Sequence, residues 1–182
     1  MKTFTKTLSV GLLGLCLLVS ACGNDTPGPG QDPNTPPPNK CGSCASYETC
    51  NSATNTCAIN PNSTWFLAVE SAKIASTKTT GEAWDAFGGA PDPFVMLDLR
   101  KTTTKQDTFS PTWGEGATYT AASLTGTGVS LTVYDEDLAA NDLIGGPSTV
   151  RLTDADFRRG LITITKLGQV DSLVLSVAPC LL

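Results

Sequence analysis

Two runs of carboxylates carry the residue types in this chain best suited to hold a metal ion. The first is Trp84-Asp85-Ala86-Phe87-Gly88-Gly89-Ala90-Pro91-Asp92-Pro93-Phe94-Val95, which supplies Asp85 and Asp92 and leads into an apolar stretch. The second is Val133-Tyr134-Asp135-Glu136-Asp137-Leu138-Ala139-Ala140-Asn141-Asp142-Leu143-Ile144-Gly145, which leaves another apolar stretch and supplies Asp135, Asp137 and Asp142. Carboxylates two residues apart project to the same side of an extended chain, so Asp135 and Asp137 face one way and a returning loop can bring Asp142 round to them. Hard Ca²⁺ takes about six to eight oxygens, so these aspartates with carbonyls and water meet its need; Mg²⁺ suits a crowded, flexible set less well. The rival reading is that both runs are solvated polar turns. An EF-hand loop also begins D-x-D, but counted from Asp135 its fifth place is Ala139, its sixth Ala140 rather than Gly, and its twelfth Gly146 rather than Glu. That motif fails on ligands and on the turn.

The chain contains no histidine. A His-assisted nucleophile, a His zinc site and a His pH switch are therefore excluded together. No Ser or Cys stands in a constellation with a base, so an enzyme is not expected.

The carboxylate runs need a scaffold, and residues 63–179 supply strand signals almost throughout. Trp65-Phe66-Leu67-Ala68-Val69, Phe94 to Leu99, Val129 to Tyr134, Leu161-Ile162-Thr163-Ile164 and Ser172 to Val177 are rich in β-branched and aromatic residues. Several alternate apolar and polar with period two, and Gly, Pro, Asn and Asp cluster between them. Regular short strands without a long 3.6-period segment predict an all-β antiparallel sandwich. One short helix is expected near Thr153-Asp154-Ala155-Asp156-Phe157, capped by Thr153.

Taken in order, these residues resemble the C2 domain family. Pro91-Asp92-Pro93-Phe94-Val95 is similar to the family's (S/P)-D-P-(Y/F)-V, and Thr108-Phe109-Ser110-Pro111-Thr112-Trp113-Gly114-Glu115 to its T-x-x-P-x-W-N-E. The Val-Tyr-Asp-Glu-Asp loop follows, with Leu143-Ile144-Gly145 behind it. The resemblance spans Trp65 to Val177 and implies an eight-stranded antiparallel β-sandwich holding Ca²⁺ between loops at one tip. Carried over, Asp92, Asp135 and Asp137 match the central ligands, Asp142 the last and Asp85 the first, with one extra residue before Asp92 and a third loop one residue short. Gly114 stands where the family usually has Asn. Trp113 is read as a packing residue, Glu115 as a local hydrogen-bond acceptor and Glu136 as at most a carbonyl donor. Trp84 and Phe87, beside the site, are candidates for membrane contact, as amphipathic aromatics are at interfaces. The basic strand that some members use for phosphoinositides is represented only by Arg100, Lys101 and Lys105.

The N-terminal part places this domain. Lys2 and Lys6 precede an apolar run from Leu8 to Val19, the order of a secretory signal and too short for a spanning helix of about 20 residues. It closes on Leu18-Val19-Ser20-Ala21-Cys22, which resembles the lipobox of bacterial lipoproteins and implies a signal peptide over 1–21 and lipidation of Cys22; the alternative is ordinary cleavage with Cys22 left as a thiol. Losing the signal takes the net charge from −5 to −7, so nucleic acid is a poor partner. Residues 22–40, with Pro36-Pro37-Pro38, read as a disordered, semi-extended spacer reaching roughly 50 Å. Residues 41–60 hold Cys41, Cys44, Cys50 and Cys57 among Gly, Ser, Asn and Thr, with almost nothing apolar but Tyr47 and Ile59. Such a segment must be stapled. In an exported protein disulfides are favoured over a Cys₄ zinc site, and with Cys180 the pairing stays open. The spacing resembles inserts in δ-proteobacterial (myxobacterial) lipoproteins. The expectation is a Ca²⁺-dependent module, lipid-anchored in a bacterial cell envelope, that binds phospholipid or an envelope component. The alternative is a structural or protein-interaction scaffold in which Ca²⁺ is absent or only structural. Gly23 after Cys22 resembles the outer-membrane rather than the inner-membrane sorting pattern.

Overall fold

The computed structural model describes residues 41–85 and 88–180. The signal, the lipidation of Cys22, the spacer and the contact role of Phe87 lie outside those residues. Among the described residues no helix is long and apolar enough to cross a membrane.

Period-two alternation does the work expected of it. In β3 (Thr64–Ile74) Trp65, Leu67 and Val69 are buried, as are Val170, Leu173, Leu175 and Val177 in β10 (Val170–Pro179). With β6 (Thr112–Thr120) and β9 (Leu161–Leu167) they form one antiparallel sheet in the order β6-β3-β10-β9. The facing sheet runs β5-β4-β7-β8, from β5 (Arg100–Lys101), β4 (Pro93–Leu97), β7 (Val129–Asp135) and β8 (Asp142–Val150). Leu67, Val69, Val95, Leu131, Val133, Leu173 and Leu175 are fully buried between the sheets, each burial worth about 1.5–3 kcal/mol. This is the eight-stranded antiparallel sandwich expected.

Strands β6 and β8 carry less apolar alternation, because both are sheet edges holding glycines. A Cβ on Gly145 would meet the Leu167 carbonyl oxygen at 2.0 Å, and one on Gly116 the Leu67 oxygen at 1.9 Å. Close backbone approach therefore demands glycine where a strand would otherwise prefer a branched residue. Helix α2 (Asp154–Arg159) is the short helix expected. Thr153 caps it in a capping box with Asp156, and Gly160 ends it in the left-handed region. A second short helix, α1 (Ala121–Thr125), starts at Thr120 and buries Ala121 and Leu124.

The cysteine segment forms a hairpin, β1 (Glu48–Asn51) with β2 (Thr56–Ile59). Disulfides join Cys41 to Cys50 and Cys44 to Cys57, and Cys180 is free and exposed. The zinc alternative is thereby removed, since these sulfurs bond to one another. Both apolar residues of the segment are used: Ile59 enters the core, and Tyr47 packs edge-on to Trp65 at 5.1 Å. Trp65 in turn meets Phe157 of α2 at 4.6 Å, while Arg158 pairs with Glu48 at 2.8 Å and donates to the Cys57 carbonyl.

Strand direction then sorts the molecule into two ends. Thr64, Thr120, Val150, Leu161 and Pro179 lie at the end that bears the hairpin and both helices. Ile74, Pro93, Asp135, Asp142 and Val170 lie at the other. At about 3.3 Å per residue, β3 separates the ends by roughly 35 Å.

Candidate functional site

The acidic tip is assembled at that second end from the loops after β3, after β5 and after β7. Asp92 is its hub. Its amide donates to Asp135 Oδ1 at 2.6 Å, its own Oδ1 accepts from the Asp107 amide at 2.6 Å, and its carbonyl accepts from the Glu136 amide at 3.0 Å. Pro91 and Pro93 on either side fix the chain, and their carbonyls accept from Thr108 and Lys105. The Asn141 side chain holds the Asp137 amide at 3.2 Å, which shapes the short loop between β7 and β8.

Asp135 ends β7, paired across to Pro93, and is completely buried. One carboxylate oxygen takes the Asp92 amide, and the other has no hydrogen-bond partner. Burial pushes its pKa up to about 6, the Asp92 amide pulls the other way, and Asp85, Asp137 and Asp92 add repulsion. Asp85 is also raised, first by burial and then by Asp92, Asp137 and Asp107. The carboxylates of Asp85, Asp92 and Asp137 therefore lie near enough to Asp135 to repel it. Their oxygens are not drawn into one tight shell: among the described residues no three carboxylates lie within 4.8 Å of one another.

Asp142 is placed differently from its companions, because Lys78 bonds directly to it. Lys78 and Asp107 are the tip residues that sequence reasoning passed over. Neither stands in a motif, and only the folded loops reveal them. Asp107 is exposed, lies in the left-handed region at φ 48° and accepts from the Ala90 amide at 2.9 Å.

Trp84 corrects an expectation. It is buried in the core with its indole N–H on the Ala75 carbonyl at 2.8 Å, so it anchors the loop from beneath rather than presenting a ring to a membrane. Among the described residues, the large apolar side chains exposed at the tip are Leu138, fully exposed, and Leu143, half exposed. Trp113 packs against the core and donates to the Thr103 carbonyl, and Glu115 accepts from the Thr103 amide and hydroxyl. The Glu136 carboxylate pairs with Lys101, whose ammonium lies 4.0 Å over the Phe94 ring. With Lys105 3.9 Å from Glu115, both lysines of the thin basic strand already face carboxylates.

A family model described as the C2 domain matches residues 68–163, and no curated protein matches the chain. Among solved structures, a fragment of Extended-Synaptotagmin 2 carrying two C2 domains shares 18% identity at a TM-score of 0.47, covering 66% of this chain and 42% of that one. Its calcium-bound form shares 18% at 0.46, covering 66% and 46%. A single C2 domain of plant Extended Synaptotagmin 1 shares 19% at 0.45, covering 68% and 99%. The chain thus spans less than half of the two-domain fragments it resembles.

Proposed function

Since this chain belongs to the C2 domain family, we propose that its acidic tip binds Ca²⁺ through Asp85, Asp92, Asp135 and Asp137, and that the loaded tip docks on anionic phospholipid or an envelope component. One observation carries this reading: a fully buried carboxylate, Asp135, with one oxygen unpartnered among other acids. A buried charge without a partner is costly and is relieved by a proton or a cation. The donors are all carboxylate oxygens, which suits a hard cation. Bound there, Ca²⁺ would neutralise the repulsion and offer its open positions to a lipid phosphate. Asp142 and Asp107 lie beside these four, and the exposed Leu138 and Leu143 offer apolar contact of the kind an interface accepts.

The proposal extends to the N-terminus. Cys22 would carry the lipid anchor and residues 23–40 the stand-off, in a bacterial envelope and at the outer membrane by the Gly23 pattern. The tip lies at the end of the sandwich opposite the hairpin that follows the spacer. An opposing membrane or a neighbouring envelope component therefore suits it better than the anchoring bilayer. The second reading, a scaffold with Ca²⁺ absent or structural, is favoured by Lys78 on Asp142 and by the spread of the carboxylates. No catalytic step belongs to either.

Sedimentation with phosphatidylserine vesicles separates the two, using the whole exported chain with Cys22→Ser so that no acyl chain inserts by itself. The membrane-binding reading predicts pelleting in millimolar Ca²⁺ that EGTA reverses. Equal partition with Ca²⁺ and with EGTA leaves the scaffold.

A further inference from the structure

We infer that the Lys78 ammonium is a built-in counter-cation occupying one half of the acidic tip, so that the tip admits a single Ca²⁺ and withholds Asp142 from it. The inference rests on the Ca²⁺ reading and deepens it. Lys78 is not a freely swinging surface lysine. Its amide donates to the Glu82 carbonyl at 2.8 Å and its carbonyl accepts from the Gly81 amide at 2.9 Å, closing a turn that aims the side chain inward. Trp84, pinned to Ala75, lies beneath it with the ammonium 5.7 Å from the ring, an orientation that favours a cation there. The side chain is only 26% exposed and bonds directly to Asp142, with Asp137 and Asp135 near enough to add further attraction. The pair joins the loop after one sheet's β3 to the first residue of the other sheet's β8.

The tip is thereby asymmetric. On one side Asp142 is matched by an internal cation that cannot diffuse away. On the other, Asp135 keeps a buried oxygen with no partner, against Asp85, Asp92 and Asp137. A second divalent ion near Asp142 would have to displace Lys78 and sit against its charge, whereas an ion at Asp135 takes an open carboxylate oxygen and displaces nothing, although the Lys78 charge reaches it too. Lysine suits this place because its compact ammonium acts as a point charge.

The test is Ca²⁺ titration calorimetry, with melting curves in EGTA and in Ca²⁺, on the full chain and three variants. The native chain is expected to take one equivalent, and Lys78→Arg, which keeps the charge, to match it. Lys78→Met is expected to take a second equivalent or to bind about tenfold more tightly, the order expected when a like charge a few Å away is removed. Its melting temperature should also rise more on adding Ca²⁺ than the native chain's does. Asp142→Asn should keep the native stoichiometry and bind more weakly, by up to about tenfold, because the Lys78 ammonium is left unmatched beside the site. Native-like titration and melting of Lys78→Met, with the native chain still binding, overturns the inference and leaves the Ca²⁺ reading standing. Absence of heat from all four proteins overturns the Ca²⁺ reading, and the inference with it.

Discussion

Asp135 concentrates the physical tension of this molecule in one side chain. Its pKa of about 6 in the fold, against 3.8 for the free residue, means that between those pH values the folded chain holds a proton the unfolded chain has released. The stabilisation is fully present below about pH 4 and is lost as pH rises through about 6. The difference is on the order of 3 kcal/mol. In EGTA, Asp135→Asn should therefore be more stable than the native chain at pH 7 in urea unfolding, with the gap closing between pH 6 and pH 4. A gap independent of pH would show that the buried carboxylate carries no such penalty. The aspartates were legible by type and spacing, since D-x-D at the end of a strand announces itself. Which of them is buried was not, because that depends on Asp92 lying across from Asp135 in the fold. Trp84 was misread for the same reason: an aromatic beside an acidic loop looks alike in sequence whether it lies above the loop or beneath it.

Among the elements, the strands that form the middle of each sheet were readable, as was the edge strand β9, whereas the glycine-bearing edges β6 and β8 were not. β3, β4, β7 and β10 bury one face or both, so their apolar residues recur with period two. β8 reads instead as Asp-Leu-Ile-Gly-Gly-Pro, a turn by composition, although it is the strand that begins the acidic tip's exit. Its glycine is required by a neighbour distant in sequence. Gly145 lies against the Leu167 carbonyl, and the turn between β9 and β10 donates from Gln169 N–H to the Ile144 carbonyl at 2.8 Å, tying the two sheets together near the tip. Gly145→Ala is expected to destabilise the chain by about 1–3 kcal/mol through this contact, measured by chemical unfolding. Neutrality would mean that the sheets part there without cost. The hairpin's disulfide pairing was likewise open in sequence, and it is the strand register of β1 on β2, with Cys50 opposite Cys57, that accompanies the crossed pairs Cys41–Cys50 and Cys44–Cys57.

At the scale of the whole sandwich, the described residues sort along one axis. The stapled hairpin, both short helices and the Trp65 aromatic cluster occupy one end, and acidic loops from both sheets occupy the other. The hairpin and the tip are therefore separated by the length of the sandwich. Fold class was legible because turn chemistry and alternation agree along the chain, whereas the Lys78–Asp142 pair brings together residues that no local pattern connects. The measurement that bears most directly on the central claim is Ca²⁺ titration by calorimetry on the full chain beside an Asp135→Asn, Asp137→Asn double variant. Saturable binding is expected in the native chain and its loss in the double variant. No heat at millimolar Ca²⁺, or the same binding isotherm from both proteins, would contradict that claim.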